Sequence, residues 1–297
     1  MAHRDESRAD ATYLSETDGL STHDGLRLFM RRWYPADAPR AAVAVLHGLA
    51  EHSERHVALA EALASQGYAV VAPDLRGHGR SEGAWAYVGD FEDYLRDLDS
   101  LFVEVQSRYP ECPYFLFGHS MGGTIAALWA ITRRPALGGL ILSSPAVRLW
   151  QDSNLTLNLL LAVLNRLVPK MATIPLRAYE ISRDPEVVRD YDRDPLVYRG
   201  GVRVRMGYSL ARAARLLRER ANEIEAPLLI LQGTEDRLVH PQGALLLHQK
   251  ARSRDKTLRL YEGLYHETLH EPEQETVLAD LLAWLEGHVS TQGNDQC

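Results

Sequence analysis

Gly118-His119-Ser120-Met121-Gly122 follows the short apolar run Tyr114 to Phe117 and leads straight into Gly123-Thr-Ile-Ala-Ala-Leu-Trp129. Its Gly-x-Ser-x-Gly spacing is that of a nucleophile elbow, a sharp strand-to-helix turn that leaves a serine hydroxyl exposed at its apex. The bare pattern is weak, because three fixed residues recur by chance. Context makes it strong: the preceding run reads as a buried strand and the following one as a helix.

The same rhythm extends outward from the elbow. The apolar runs Ala42 to Leu46, Tyr68 to Ala72, Tyr114 to Phe117 and Leu140 to Leu142 alternate with stretches of helical period at Ser53 to Gln66, Phe91 to Arg108 and Gly122 to Arg133. Gly67 is placed to stop the first of these helices. Runs apolar on both faces and separated by helices imply a parallel sheet covered on each side. Upstream, Thr12 to Thr22 and Leu26 to Tyr34 flank His23-Asp24-Gly25, which predicts an antiparallel hairpin at a sheet edge. The rhythm breaks after Ser144-Pro145 and resumes at Ala226-Pro227, with strands at Leu228 to Leu231 and Leu258 to Tyr261 and a helix from Pro272 to His288. The expected organisation is therefore an α/β core over 12–144 and 226–289, a cap inserted at 145–225, a polar segment at 1–11 and a polar tail at 290–297.

A serine hydroxyl becomes a nucleophile only when an imidazole takes its proton, and the imidazole needs an orienting carboxylate. Gly233-Thr-Glu235-Asp236 follows a predicted strand, where open α/β sheets keep their sites. Asp236 is the candidate acid and Glu235 the competing one. Of the later histidines, His266 lies in Gly263-Leu-Tyr-His directly after the last strand and is the candidate base, with His270 in reserve; His248 and His288 read as helix-surface residues. The oxyanion of a tetrahedral intermediate needs preformed NH donors. The NH of Met121 follows the nucleophile, and that of Leu49 lies in the loop opened by His47-Gly48, which His47 is expected to hold in shape.

Several stretches resemble a known family: His47-Gly48-Leu-Ala-Glu51-His52-Ser-Glu-Arg55, Asp74-Leu-Arg76-Gly77-His78-Gly79-Arg80-Ser81, Gly118 to Gly123 and Leu264-Tyr-His266. Together they resemble the monoacylglycerol lipases, serine hydrolases of the α/β-hydrolase fold, from about Thr22 to Trp284. Ile181 to Val188 and Tyr191 to Tyr198 look like bacterial members. The resemblance implies a mostly parallel central sheet with helices on both faces, a triad of Ser120, Asp236 and His266, oxyanion donors at Leu49 and Met121, and a cap over the site. It implies hydrolysis of monoacylglycerols to glycerol and fatty acid through an acyl-serine, with no cofactor. The departures fall in the insertion, where such enzymes set chain-length preference. His240, before Pro241, has no place in the pattern. Without the resemblance, Asp74 to Ser81 reads as a tight structural turn, since it lacks the lysine and glycine spacing of a phosphate loop.

Within the insertion, Leu155 to Val168 carries Arg166 as its only charge, and Asn154, Asn158 and Asn165 form a narrow polar stripe. It is too short to span a bilayer. A helix apolar nearly all round is either buried or set on lipid. The bland reading is a core helix of the cap; the functional one makes Leu160 and Leu164 part of a rim through which acyl chains enter.

Composition narrows the classes further. The net charge of −7 with interspersed signs offers no basic face for nucleic acid. Cys112 and Cys297 make neither a disulfide framework nor a metal spacing, and Cys297 is not a prenylation signal. The opening MAHRDESRAD has no apolar signal core. A cytoplasmic location is expected, with peripheral lipid contact through the cap; the oligomeric state is not encoded. The competing activities are a lysophospholipase or a short-chain carboxylesterase with the same triad. A non-enzymatic hydrolase-fold binding protein would be expected to lack a triad member, and Ser120 argues against the dehalogenases and epoxide hydrolases, which place an aspartate at the elbow.

Overall fold

The structure, a computed structural model, describes residues 12–149 and 155–292. The sequence readings of 1–11, of Asn154 and of most of the tail lie outside these residues. Eight strands form one sheet: β1 (Tyr13–Ser21), β2 (Arg27–Pro35), β3 (Ala41–Leu46), β4 (Tyr68–Pro73), β5 (Tyr114–His119), β6 (Gly139–Ser143), β7 (Leu228–Gly233) and β8 (Lys256–Tyr261). Their order is β1-β2-β4-β3-β5-β6-β7-β8. β1 and β2 form the expected edge hairpin and join β4 antiparallel, while every other pairing is parallel.

Period-two alternation explains why both faces are dry. In β3, Ala42, Ala44 and Leu46 enter one apolar cluster, while Ala41, Val43 and Val45 enter the cluster on the opposite face. α1 (Val57–Ser65) and α8 (Gln274–Gln292) cover the second face; α2 (Glu92–Arg108) and α3 (Met121–Arg133) cover the first. Gly67 stops α1 with φ +86°, the left-handed backbone that glycine adopts without a Cβ clash.

The chain leaves β3 toward β4 on one side and later returns to place β5 on its other side, which makes the β3/β5 boundary the switch point of the sheet. Loops at the carboxyl ends of these two strands diverge and leave a crevice there. The His47-Gly48 loop and Ser120 open on that crevice.

Between β6 and β7 lie α4 (Leu155–Leu167), α5 (Pro185–Arg193) and α6 (Val204–Arg220). α7 (Gln242–Lys250) follows β7. Three departures from the sequence reading stand out. Ser53 to Gln66 divides into a 3₁₀ turn at Ser53–His56 and α1, because Asp74 Oδ1 accepts both the Ser53 NH (2.8 Å) and its hydroxyl (2.6 Å) and fixes the start. α5 and α6 were hidden by their arginines. The core-helix reading of Leu155 to Val168 fails: Leu159, Leu160, Val163 and Leu167 are exposed, Leu167 by 70%. Asn165 is half-buried beside Leu161 toward α6. Among the described residues no helix is long and apolar enough to cross a membrane.

Candidate active site

Ser120 sits between β5 and α3 with φ 52° and ψ −116°, a conformation that costs a non-glycine residue about 1–3 kcal/mol. The surrounding glycines make the turn feasible. A Cβ on Gly118 would come within 2.4 Å of the Gly122 carbonyl, and one on Gly122 within 2.5 Å of the His47 and Leu46 carbonyls. The Ser120 NH donates to Ser143 O (2.9 Å) and its carbonyl accepts the Ala146 NH (3.1 Å), which holds the strained residue from the neighbouring strand.

His266 lies in the loop after β8 and bridges two partners. Its Nε2 is 2.8 Å from Ser120 Oγ and its Nδ1 is 2.7 Å from Asp236 Oδ2. This geometry assigns Nδ1 as the donor to the carboxylate and leaves Nε2 free to accept the serine proton. Burial lowers the His266 pKa, but the charges of Asp236, Glu267 and Glu51 outweigh it and the net shift is upward.

Asp236 is buried after β7 and accepts four donors. Oδ1 takes the NH groups of Leu238 and Val239, both at 2.9 Å, and Oδ2 takes Gln232 Nε2 at 3.0 Å beside His266. Glu235 is exposed and makes no such contact. His270 is occupied elsewhere: Nε2 donates to the Arg55 carbonyl (2.7 Å) and Nδ1 faces Glu267 (2.9 Å). His240 now has a place, since its Nδ1 accepts the Gln242 NH (3.2 Å) at the start of α7. His248 sits on α7 and His288 on α8, where His288 pairs with Asp255 at 2.9 Å.

Opposite the serine, Gly48 comes so near that an added Cβ would stand 3.1 Å from Ser120 Cβ. The Leu49 peptide therefore lies beside the serine, and Met121 opens α3, where the first NH groups have no partner inside the helix. His47 shapes this loop as expected: Nδ1 donates to the Gly48 carbonyl (2.7 Å) and Nε2 accepts the Leu75 NH (2.8 Å). Burial, reinforced by His78, drives its pKa down to about 3, so it stays neutral.

Sequence reasoning missed the buried polar cluster beneath the site. Glu51 Oε1 accepts the Gly48 NH. Arg55 pairs with Glu267 and lies 3.4 Å from Glu51. His119, neutral because burial pushes its pKa to about 3, stands with its ring 4.9 Å from that of His266. The segment between β6 and β7 joins the same assembly through His52 Nε2 to Asp194 (2.8 Å), Tyr198 NH to the Ala50 carbonyl (2.9 Å) and Glu267 NH to the Ile181 carbonyl (2.8 Å). The run Glu51-His52-Ser-Glu-Arg55-His56, charged residues beside a glycine turn, was the available signal.

Leu160 and Leu164 both lie on α4, the first half exposed to solvent and the second half-buried. A groove between α2, α4, α6 and α7 includes none of Ser120, Asp236 or His266. One further titratable group brings His23, Asp24 and Asp97 within 4.8 Å of one another. Its carboxylates already hold Arg76, with Asp97 at 2.6 Å and Asp24 at 3.0 Å, so the group is an ion-pair knot.

The family described as serine aminopeptidase, S33 matches residues 37–273. Human monoglyceride lipase is 39% identical over 278 residues, covering 92% of this chain and 91% of that protein. The monoacylglycerol lipase of Mycolicibacterium smegmatis is 35% identical, covering 89% and 95%. The chain belongs to the monoacylglycerol lipase family. It is accordingly a serine hydrolase of the α/β-hydrolase fold. The crystal structure of Paleococcus ferrophilus monoacylglycerol lipase superposes with a TM-score of 0.79 at 32% identity, covering 88% of this chain and 99% of that one. A caffeoylshikimate esterase of Arabidopsis thaliana is also 32% identical, covering 90% of this chain and 84% of that protein.

Proposed function

We propose that this protein hydrolyses monoacylglycerols to glycerol and fatty acid, with Ser120 as nucleophile, His266 as general base and acid, and Asp236 as the orienting carboxylate. The observation that carries the reading is the unbroken chain from Ser120 Oγ through His266 to Asp236, with bonds of 2.8 and 2.7 Å, in a protein 39% identical to a monoglyceride lipase along nearly its whole length.

Ser120 Oγ attacks the ester carbonyl carbon as its proton passes to His266 Nε2, and the new oxyanion is met by the NH groups of Leu49 and Met121. Collapse breaks the carbon–oxygen bond to glycerol, whose oxygen takes the proton back from Nε2. Water then repeats the sequence on the acyl-serine and releases the fatty acid. No metal or cofactor enters these steps.

Residues 145–225 act as the cap, and α4 supplies the surface that meets the lipid. Support comes from its inverted amphipathicity, with leucines outward and Asn165 inward. Leu160 faces the lipid and Leu164 extends the acyl path. The test is product analysis with monoacyl-, diacyl- and triacylglycerols alongside lysophospholipids. Release of fatty acid chiefly from monoacylglycerol is expected; a preference for lysophospholipid would overturn the substrate assignment.

A further inference from the structure

β7 is apolar from Leu228 to Leu231 and then admits one polar side chain, Gln232, which is fully buried. Strand alternation sends it to the same face as Leu228 and Ile230, the face covered by α2 and α3. Its amide is used unevenly. Nε2 donates to the Gly233 carbonyl (3.1 Å) and to Asp236 Oδ2 (3.0 Å), whereas Oε1 is buried and meets no donor among the described residues. Both neighbours of Nε2 are acceptors, so the amide cannot exchange its ends without setting oxygen against oxygen.

A buried carbonyl left without a donor costs stability, and a methionine of similar length would fill the space without that cost. What the amide supplies in return is a second donor on the oxygen that receives His266 Nδ1 at 2.7 Å. The backbone NH groups of Leu238 and Val239 hold Oδ1 and Gln232 holds Oδ2, so the plane of the carboxylate cannot swing away from the imidazole. The backbone beside Gln232 is fitted to the His266 loop as well. A Cβ on Gly233 would stand 2.3 Å from the carbonyls of Leu264 and Tyr265, and the Glu235 NH donates to the Leu264 carbonyl (3.0 Å).

We propose that Gln232 is a positioning residue for the hydrolysis, which fixes the plane of Asp236 and takes a share of the charge that Oδ2 offers to His266. The inference rests on the triad reading of Ser120, His266 and Asp236 and deepens it. His266 faces Asp236, Glu267, Glu51 and His119. Of these groups Asp236 is the one bonded to Gln232. Removing the amide therefore leaves more of the Oδ2 charge to the imidazole and favours its protonated form.

The experiment measures Tm, kcat and the pH profile of kcat/KM for p-nitrophenyl butyrate in Gln232→Met, Gln232→Glu and Asp236→Asn. In Gln232→Met kcat should fall on the order of 10- to 100-fold, the scale expected when an orienting group is misplaced. Tm should change little, because the unpartnered carbonyl leaves together with the donor. The acid limb, below which His266 is protonated and cannot accept from Ser120, should move to higher pH. A purely structural side chain would lower Tm and leave the limb in place; that result, or wild-type kcat with an unmoved limb, would overturn the proposal. Gln232→Glu keeps the shape and decides the question if the methionine variant does not fold. Its new carboxyl donates to Oδ2 only while protonated, so activity should fall as pH rises, on an alkaline limb that the wild type lacks. A profile that follows the wild type throughout would overturn the proposal. Asp236→Asn separates the two levels: wild-type turnover there would sink the triad reading itself, whereas a loss of about 10⁴ there beside an unaffected Gln232→Met would remove Gln232 alone.

Discussion

Gln232 Nε2 and His266 Nδ1 converge on one oxygen of Asp236, at 3.0 and 2.7 Å, while the other oxygen accepts two backbone NH groups. The carboxylate therefore has no orientation open to it in which a donor replaces either oxygen without loss. In Asp236→Asn the two NH groups of Leu238 and Val239 require the amide oxygen on their side and turn the NH₂ toward His266. That forces the imidazole into the tautomer with the proton on Nε2, which cannot accept from Ser120. Turnover should fall by about 10⁴ with the fold intact, whereas the exposed Glu235→Gln should stay near wild type. Steady-state kinetics with circular dichroism on both variants checks the assignment, and the reverse order of effects would sink it.

Gly48 provides a separate handle on the loop proposed to hold the oxyanion. An added methyl would stand 2.8 Å from Glu51 Oε1 and 3.1 Å from Ser120 Cβ, so Gly48→Ala must move the loop that carries the Leu49 NH. Loss of one oxyanion donor costs about 10² to 10³ in kcat, with a smaller change in KM. Gly207→Ala is the contrast, since its methyl would meet only Val202 Cγ1 at 3.7 Å in α6. Tm should rise there, by the equivalent of about 0.5–1 kcal/mol. An unchanged kcat in Gly48→Ala would remove the Leu49 NH from the mechanism.

How much of this was legible depended on the range of the forces involved. The strands were readable because β3 to β7 bury both faces and so write continuous apolar runs, and Ser120 was readable because its strained turn demands glycines at fixed positions. Asp236 and His266 followed from the order of strands. α6 was not legible: Arg205, Arg212, Arg215 and Arg218 obscure the buried Met206, Leu210, Ala213 and Leu217 that set its period. The Glu51, Arg55, Glu267 and His119 cluster was illegible for another reason. Glu51 and Arg55 share one segment after β3, but Glu267 follows β8 and His119 ends β5, and only the fold brings these groups close enough to offset their desolvation.

Two buried neutral histidines give the stability a defined pH dependence. His47 and His119 have folded pKa values of about 3, against about 6.5 when unfolded. The unfolded chain therefore binds more protons between those limits, so the stability they contribute is present above pH 6.5 and lost as pH falls toward 3. Each contributes a slope of up to about 1.4 kcal/mol per pH unit. His266 and His270 are shifted the other way, so their contribution is lost only as pH rises above 6.5 through their folded values. Denaturant titrations from pH 4 to 8 should give a maximum near neutrality, and His119→Gln should flatten the acid limb alone. A limb unchanged in that variant would mean that His119 is charged in the native state.

The last prediction separates lipid contact from packing within α4 itself. Leu160 is half exposed and lies on the outward arc, whereas Leu164, one turn on, is half-buried. Serine at an exposed position alters stability by no more than about 0.5 kcal/mol, so Leu160→Ser should leave Tm unchanged. It should still weaken vesicle binding and the hydrolysis of long-chain monoacylglycerol, because the outward leucine is the one removed from lipid. A short soluble ester reaches Ser120 without that contact and should be turned over at the wild-type rate. Leu164→Ser loses part of a packed side chain, and a hydroxyl set against apolar neighbours without a partner costs about 1–3 kcal/mol; Tm should fall and both substrates should suffer, the long-chain one more because Leu164 extends the acyl path. The discriminating quantity is the ratio of long-chain to short-chain turnover, measured beside Tm and vesicle binding. If Leu160→Ser lowered Tm and left both the ratio and the vesicle binding unchanged, the outward face of α4 would be ordinary packing surface and the lipid-contact reading would fall.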